Sequence, residues 1–264
     1  MRAYGIDVTS SPSRRKPVTC AVCEIHDERL RCARVLRWPS KSFLEFEALL
    51  ASDGPWIMGI DTPFGLASAF IGNARWPADW AAYVDVVRQM SRSEFRGFLD
   101  RYKQSRNQGD KEHKRAVDRL AGSMSAQNRR VNGMFYEVTP RILSSGAHIP
   151  LLRPMERSDR IIVETYPGCL ARELIGRSGY KDASATAERT AQRALRQQIF
   201  ERLTWVDAPG SIVDDPSGDE LDALLCAVQA AWAWSKRDAN FGIPETANPI
   251  EGWIVDQSLY EAAA

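Results

Sequence analysis

Two apolar segments of the chain end on the same three residues, Gly-Ile-Asp. Asp7 closes "YGID" near the N-terminus, Asp61 closes "WIMGID", and Glu164 ends a third apolar segment, "RIIVE". Ligands of open α/β sheets bind at the carboxyl ends of parallel strands, which meet at one edge. If these segments are neighbouring parallel strands, the three carboxylates converge at such an edge.

A late segment that predicts a helix, "DELDALLCAVQAAWAW", adds two more acids. Asp219 and Asp222 are three residues apart and therefore share one face of the predicted helix. Crowded carboxylates raise one another's pKa and need compensation by cations, and Mg²⁺ or Mn²⁺ prefer such hard oxygen ligands. The pattern predicts a metal site formed by Asp7, Asp61, Asp219 and Asp222, with Glu164 as a further catalytic acid. Two ions about 4 Å apart would support an in-line displacement at phosphorus.

Each acid also has a simpler interpretation when it is taken alone. An aspartate after a strand is commonly a turn or cap residue, and Asp219 would favour the dipole at a helix N-terminus. Glu164 could form an ion pair with Arg172 or Arg189. The repetition of the pattern, rather than any one residue, favours a shared site.

The elements that must position these acids follow from the apolar spacing. Residues 2–8, 18–25 and 29–37 predict three strands of an antiparallel meander. A helix over 42–52 then leads into a strand over 56–61, which should run parallel to the first strand. Later segments predict a strand at 160–165, a helix in "YPGCLARELIG", a helix over 185–203, and a final long helix with Asp215 or Ser217 near its cap.

The formal net charge of +1 conceals two regions of opposite sign. Residues 88–130 hold twelve basic and five acidic residues, a net of +7, whereas residues 200–264 hold three basic and twelve acidic, a net of −9. The basic region is interpreted either as solvated helix faces or as a surface for a polyanion. Aromatic residues at helical spacing between 75 and 135 predict a helical insertion, and such spacing is more typical of a core than of a base-stacking platform.

Composition limits the class of protein. At 264 residues, 44% hydrophobic and 26% charged, the chain has an ordinary globular composition. It has no apolar run of about 18 residues and no signal-peptide pattern at its start, so a cytoplasmic protein without a membrane span is expected. Five scattered cysteines argue against a disulfide framework, and Cys20 and Cys23 on one strand would face opposite sides.

Six segments of the chain, taken in order, resemble a known family. They are "YGIDVTSS", "IMGIDTPFGL", "IIVETYPG", "GYKDA", "DELDALLCAVQAAWAW" and "GWIVDQ". With this set the chain resembles family 429 of the domains of unknown function, catalogued as predicted RNase H-like nucleases. The likeness covers most of the chain outside 75–135.

The resemblance implies an α/β fold of RNase H-like type, with a mixed five-stranded sheet flanked by helices. Residues 1–264 would form a single domain, and 75–135 a basic helical insertion after the fourth strand. In that superfamily, acids from the first strand, the fourth strand and a C-terminal helix bind divalent metals for phosphodiester hydrolysis. Asp7, Asp61 and the pair of Asp219 and Asp222 match these positions. Glu164 lies in the family's Glu-x-x-Pro stretch, and two basic positions, Lys181 and Arg189, would contact phosphate.

The leading hypothesis is therefore a metal-dependent nuclease that uses Mg²⁺ or Mn²⁺ and acts on nucleic acid. A catalytically silent binding module for nucleic acid or protein is the alternative. An actin-like ATP phosphotransferase fits less well, because the chain has no internal duplication and no second glycine-rich loop. The three histidines lack metal or triad spacing, and neither a P-loop nor a dinucleotide fingerprint is present.

Overall fold

The computed structural model describes residues 1–181 and 185–263, which contain a six-stranded mixed sheet with helices packed on it. The strand order is β5-β4-β1-β2-β3-β6. The strands are β1 (Arg2–Asp7), β2 (Val18–His26), β3 (Arg29–Trp38), β4 (Trp56–Asp61), β5 (Arg160–Thr165) and β6 (Val206–Asp207). The predicted α/β class is confirmed, and the predicted strands lie within one residue of their observed ends.

Strand directions follow the sequence prediction in the centre of the sheet. β1, β2 and β3 form the antiparallel meander, while β1, β4 and β5 are parallel neighbours. The expectation of five strands was wrong, because β6 pairs in parallel with β3 at the far edge. β6 has only two residues, so it is too short to give an alternation of apolar and polar positions.

The described residues contain ten α-helices, of which α2 to α6 follow one another between β4 and β5. The helices are α1 (Leu44–Leu50), α2 (Ser68–Ala74), α3 (Trp80–Arg88), α4 (Arg92–Gln104), α5 (Ala116–Ala121), α6 (Asn132–Ser144), α7 (Pro167–Ile175), α8 (Thr186–Arg202), α9 (Asp219–Ser235) and α10 (Gln257–Ala263). None is long and apolar enough to cross a bilayer within the described ranges.

Helix α9 lies directly on one face of the sheet, and glycines in β1 and β4 permit the contact. A Cβ atom at Gly5 would lie 1.9 Å from the carbonyl oxygen of Ala223, and one at Gly59 would lie 2.4 Å from that of Cys226. The helix backbone therefore contacts the strands where side chains are absent. This packing brings the first turn of α9 to the carboxyl ends of β1 and β4.

The opposite face of the sheet is covered by aromatic side chains from α3, α4 and α6. Trp80, Tyr83, Phe95 and Phe135 are each at most 1% exposed and share a core with the strand residues. These four aromatic residues thus form core, as their helical spacing indicated. Trp76 and Phe98 of the same region are half-buried and stack on each other.

The cysteines are free thiols, and all five are buried. Cys20 packs in the core on one face of the sheet and Cys23 in the core on the other. The two side chains therefore face opposite sides of the sheet, as their spacing on one strand predicted.

The "EGWIVDQ" segment is ordered against the sheet. Val255 donates its backbone N–H to the carbonyl of Glu164 at 2.9 Å. The buried Glu251 carboxylate accepts the backbone N–H groups of Ser68 at 2.6 Å and Ala116 at 3.1 Å. It therefore joins the starts of two helices, α2 and α5, that are distant in the chain.

Candidate functional site

Asp7 and Asp61 occupy matching positions on two adjacent parallel strands. They are Cα partners in the β1–β4 register, and each is the last residue of its strand. Neighbouring strands lie about 4.8 Å apart, and side chains at paired positions point to the same face. Gly5 and Gly59, two residues earlier, contact α9, so both aspartates face that helix.

The start of α9 contributes the other two predicted aspartates. Gly218 is the N-cap residue with φ of 77°, a left-handed conformation that favours glycine. Asp219 and Asp222 follow in the first turn and are both buried. The hydroxyl of Thr19 donates to the Asp219 carbonyl at 2.9 Å, which fixes this turn against β2.

The predicted capping residues flank α9 without occupying the N-cap position itself. Asp215 accepts the backbone N–H of Glu220 at 3.1 Å and the hydroxyl of Ser217 at 2.8 Å. Arg37 lies 2.7 Å from Glu220 and 3.9 Å from Asp215. A side chain still satisfies an N–H group of the first turn, although it does so from outside the helix.

Asp7 and Asp61 are both affected by the charge of Asp222, and Asp219 has a smaller effect on Asp7. Burial raises the pKa of Asp7 well above its usual value, and the charges of Asp222, Asp61 and Asp219 raise it further, against a lowering effect of Lys181. Burial and then the charge of Asp222 raise the pKa of Asp61 to about 7. We call Asp7, Asp61, Asp219 and Asp222 the acidic cluster.

Lys181 and Tyr180 both contact Asp222. The Lys181 ammonium donates to Oδ2, and the Tyr180 hydroxyl donates to Oδ1 at 2.5 Å. Burial opposes the charge on Lys181, but attraction to Asp222 outweighs it and the pKa of the ammonium lies above its usual range. The cluster therefore contains a cation supplied by the chain.

Tyr180 was not predicted, although it stands beside Lys181 in the "GYKDA" segment. A tyrosine beside a glycine can lie on the surface or in the core, so its sequence context did not indicate a site residue. Asp182 and Ala183 of the same segment lie outside the described residues.

One fully buried oxygen of the acidic cluster has no hydrogen-bond partner within the described part of the chain. It is Oδ2 of Asp219, which is buried. Burial also raises the pKa of this carboxyl group, and Lys181 lowers it. An unsatisfied buried oxygen is uncommon and calls for an explanation such as an ion. No three His, Cys, Asp or Glu side chains among the described residues form a ready-made metal-binding group.

Glu164 is next to Asp61 in the sheet but belongs to a separate network. It pairs with Ile60 in the β4–β5 register, and Arg115 binds both of its oxygens, at 2.5 and 2.8 Å. The backbone N–H of Phe64 donates to it at 2.9 Å. Neither Arg172 nor Arg189, the partners considered from sequence, forms this ion pair; Arg115 does.

Arg115 uses all of its donors. Besides Glu164, it binds Asp118 through Nε at 3.1 Å and Nη2 at 2.8 Å, and Nη1 donates to the carbonyl of Glu251 at 3.0 Å. A guanidinium group has five N–H bonds, and each has a partner here. Arg115 was missed from sequence, because it lies 49 residues before Glu164 and no local spacing links the two.

The two predicted phosphate contacts differ in their surroundings. Lys181 lies in the acidic cluster, whereas Arg189 is exposed on α8. In the basic region, six of the twelve cations form ion pairs with described residues. The six without an ion pair to described residues are all exposed: Arg96, Arg101, Lys111, Lys114, Arg119 and Arg130.

The fold and the site together define an α/β protein with a mixed sheet and buried carboxylates at the carboxyl edge of its parallel strands. The model of the family described as "Protein of unknown function (DUF429)" matches residues 5–246, and the chain belongs to this family. No curated protein and no solved structure is detectably similar to the chain.

Proposed function

We propose that the protein is a divalent-metal-dependent nuclease that hydrolyses phosphodiester bonds of nucleic acid. The observation that carries this proposal is the pairing of Asp7 with Asp61 at the ends of adjacent strands, facing the acids of α9. Burial and the charge of Asp222 disfavour the ionised forms of Asp7 and Asp61, and nearby cations would compensate. Hard cations bound between the carboxylates would compensate their negative charge.

The order of the elements supports an RNase H-like assignment. In that superfamily the metal-binding acids come from the first strand, the fourth strand and a C-terminal helix. Here β1, β4 and α9 carry Asp7, Asp61 and Asp222, and the three elements pack together. The short sixth strand lies at the opposite edge of the sheet, away from these acids.

The residues fit a divalent ion such as Mg²⁺ or Mn²⁺. Oδ2 of Asp219 is a buried acceptor without a partner among the described residues. Burial and then the charge of Asp222 raise the pKa of Asp61 to about 7, and a nearby cation would favour its ionised form. Asp7, Asp61, Asp219 and Asp222 would hold the ions, whose chemistry is to activate water and stabilise the departing oxygen. Glu164 is committed to Arg115, so its proposed part is to shape the site beside Asp61.

Lys181 has two partners in this proposal. Its ammonium group neutralises Asp222 in the protein alone. When cations occupy the acidic cluster, Lys181 is free to donate to a phosphate oxygen, as its place in the family pattern suggests. Its side chain is about one-third exposed and can therefore reach a bound backbone.

Exposed cations supply a surface for the rest of the nucleic acid. Arg96, Arg101, Arg119 and Arg130 have no ion pair with described residues, and phosphate contacts of such side chains position a backbone without reading its sequence. Binding should weaken as salt is added, because each contact releases counterions.

A catalytically silent binding module is the second candidate, and one observation favours it. Lys181 already supplies positive charge to the acidic cluster, so the carboxylates have one cation without any metal. In that case the cluster is structural, and the exposed cations alone carry the function.

Hydrolysis of single-stranded DNA, double-stranded DNA and RNA with Mg²⁺ or Mn²⁺ distinguishes the two candidates. Asp7→Asn and Asp61→Asn should each lower the cleavage rate by more than about 100-fold, since ligand support alone is worth about 10–100-fold. Asp53→Asn is the matched control, because Asp53 is exposed. Salt-sensitive binding without turnover favours the silent module, and cleavage that persists with a chelator rules out the metal mechanism.

A further inference from the structure

A cavity of about 150 Å³ lies beside the acidic cluster and shares Asp61 with it. Residues that follow β4, the region around α5, the start of α6 and the end of β5 form its walls. Most of the wall is apolar, and Met124, which is 45% exposed, is one of its lining residues.

The polar part of the wall carries no free positive charge. Arg115 is saturated by Asp118, Glu164 and the Glu251 carbonyl. With Asp61, the lining has three carboxyl groups and this one guanidinium. A phosphate group would be repelled inside the cavity, so the cavity suits a neutral group. That group can belong to a ligand whose phosphate lies outside, at the acidic cluster.

Thr62 offers a hydrogen bond that nothing in the described chain uses. It lines the cavity, is 2% exposed, and its hydroxyl has no partner among the described residues. A buried hydroxyl that is left unpaired is unfavourable. A hydroxyl that both donates and accepts matches the edge of a nucleobase.

The size and lining of the cavity favour a single aromatic ring. An engineered cavity of about 150 Å³ in another protein accommodates benzene, so this one fits one six-membered ring better than the two fused rings of a purine. Met124 and Met134 both line it, and methionine sulfur packs favourably against aromatic rings.

We propose that this cavity binds a pyrimidine base of the nucleotide that adjoins the phosphodiester bond at the acidic cluster. The inference rests on the proposed nuclease function for its position, and it adds a substrate preference. Thr62 hydrogen-bonds the edge of the base, the two methionines pack on its face, and the neighbouring phosphate remains with the acidic cluster.

Methyl NMR tests the cavity without any cleavage assay. The chain has six methionines, and we expect uridine or cytidine to shift the methyl signals of Met124 and Met134, with those of Met58 and Met90 unchanged as internal controls. Ribose should give no shift and adenosine a weaker one. Thr62→Val should weaken the pyrimidine response. Val131 also lines the cavity, and Val131→Phe, which places a larger side chain there, should abolish the response. Equal responses to adenosine and uridine, or none, would overturn the inference.

Cleavage of matched oligonucleotides tests the link to catalysis. A pyrimidine next to the cut bond should raise the cleavage rate roughly 10- to 100-fold over an abasic site at the same position, the usual worth of one bound base. Val131→Phe should remove this difference between the two substrates. If no substrate is cut while nucleosides still shift Met124 and Met134, the nuclease proposal fails and the base site stands. Equal cleavage rates for the abasic and pyrimidine substrates would contradict the base preference and leave the nuclease proposal standing.

Discussion

The Lys181 ammonium group donates to Oδ2 of Asp222, within the acidic cluster of Asp7, Asp61, Asp219 and Asp222. Tyr180 occupies the other oxygen of the same carboxylate. An ion that binds Asp222 must therefore compete with a positive charge that the chain itself provides. Substitution of Lys181 should therefore change how strongly divalent cations stabilise the protein.

Lys181→Met should make the protein more dependent on divalent cations. Removal of one partner of a buried pair costs several kcal/mol, and we expect about 1–2 kcal/mol here because the lysine side chain is about one-third exposed and water screens the pair. Added Mn²⁺ should then raise the melting temperature more in Lys181→Met than in the wild type. Thermal unfolding over a Mn²⁺ titration measures this, with exposed Lys41→Met as control. An identical Mn²⁺ response in the two variants contradicts competition at Asp222.

Stability without metal should fall as the pH rises from about 4 to about 7. An unfolded aspartate titrates near 3.9, whereas burial and the charge of Asp222 raise the pKa of Asp61 in the fold to about 7. The folded protein therefore binds this proton more tightly than the unfolded chain does. The stability that the bound proton contributes is lost as the carboxyl group ionises.

Asp61→Asn should reduce that dependence on pH without abolishing it, because burial also raises the pKa of Asp7. A shift of about three pKa units corresponds to a gain on the order of 3–4 kcal/mol above pH 7, where the wild type must hold the charge. Urea unfolding in a chelator at pH 5 and pH 8 provides the comparison, and Asp53→Asn should follow the wild type. Parallel pH profiles for wild type and Asp61→Asn would contradict a strongly perturbed Asp61.

Much of the site was accessible from the sequence because its parts lie at the ends of regular elements. The apolar runs that finish at Asp7 and Asp61 predicted both the strands and their parallel neighbours, and the spacing of Asp219 and Asp222 placed them on one helix face. Period and register are local properties, so one sequence is enough to read them.

The parts that the sequence did not reveal depend on contacts between distant segments. Arg115 meets Glu164 only after α5 packs against the end of β5, and its neighbours in the chain give no sign of a buried ion pair. Lys181 was expected to meet phosphate, yet in the protein alone its partner is Asp222. Whether Lys181 meets a phosphate or Asp222 depends on which anion lies near it in the fold, and residue spacing in the sequence does not predict this.

Arg115→Met should destabilise the protein strongly, even though Arg115 lies outside the acidic cluster. The side chains of Arg115, Asp118 and Glu164 are each at most 2% exposed, so the substitution leaves two buried carboxylates without their cation. Loss of one partner from such a network costs about 3–5 kcal/mol. Chemical denaturation at neutral pH measures the loss.

Arg129→Met is the matched control for Arg115→Met. Arg129 pairs with Asp100 at 2.8 Å, but its side chain is 78% exposed, and exposed pairs contribute about 0–1 kcal/mol. If the two variants lose equal stability, the network around Glu164 is not the buried structural unit described above, and Glu164 becomes available for another role.

Gly5→Ala should separate α9 from β1 and so disturb the acidic cluster from a distance. The new Cβ atom would lie 1.9 Å from the Ala223 oxygen and 2.3 Å from the Ala227 nitrogen. Both are backbone atoms in the middle of a buried helix, so no side-chain rotation relieves the clash. Overpacking of this kind typically costs about 1–3 kcal/mol, and a clash with backbone atoms places Gly5→Ala at the upper end.

Gly72→Ala tests the same substitution where space is open. Nothing lies within 4 Å of a Cβ atom at Gly72 in α2, and alanine should stabilise the helix by about 0.5–1 kcal/mol. The Mn²⁺-dependent rise in melting temperature should be retained in Gly72→Ala and lost in Gly5→Ala, because only the latter moves Asp222 relative to Asp7. A normal Mn²⁺ response in a destabilised Gly5→Ala protein would mean that ions bind without the α9 carboxylates, and the cluster would then reduce to the two strand aspartates.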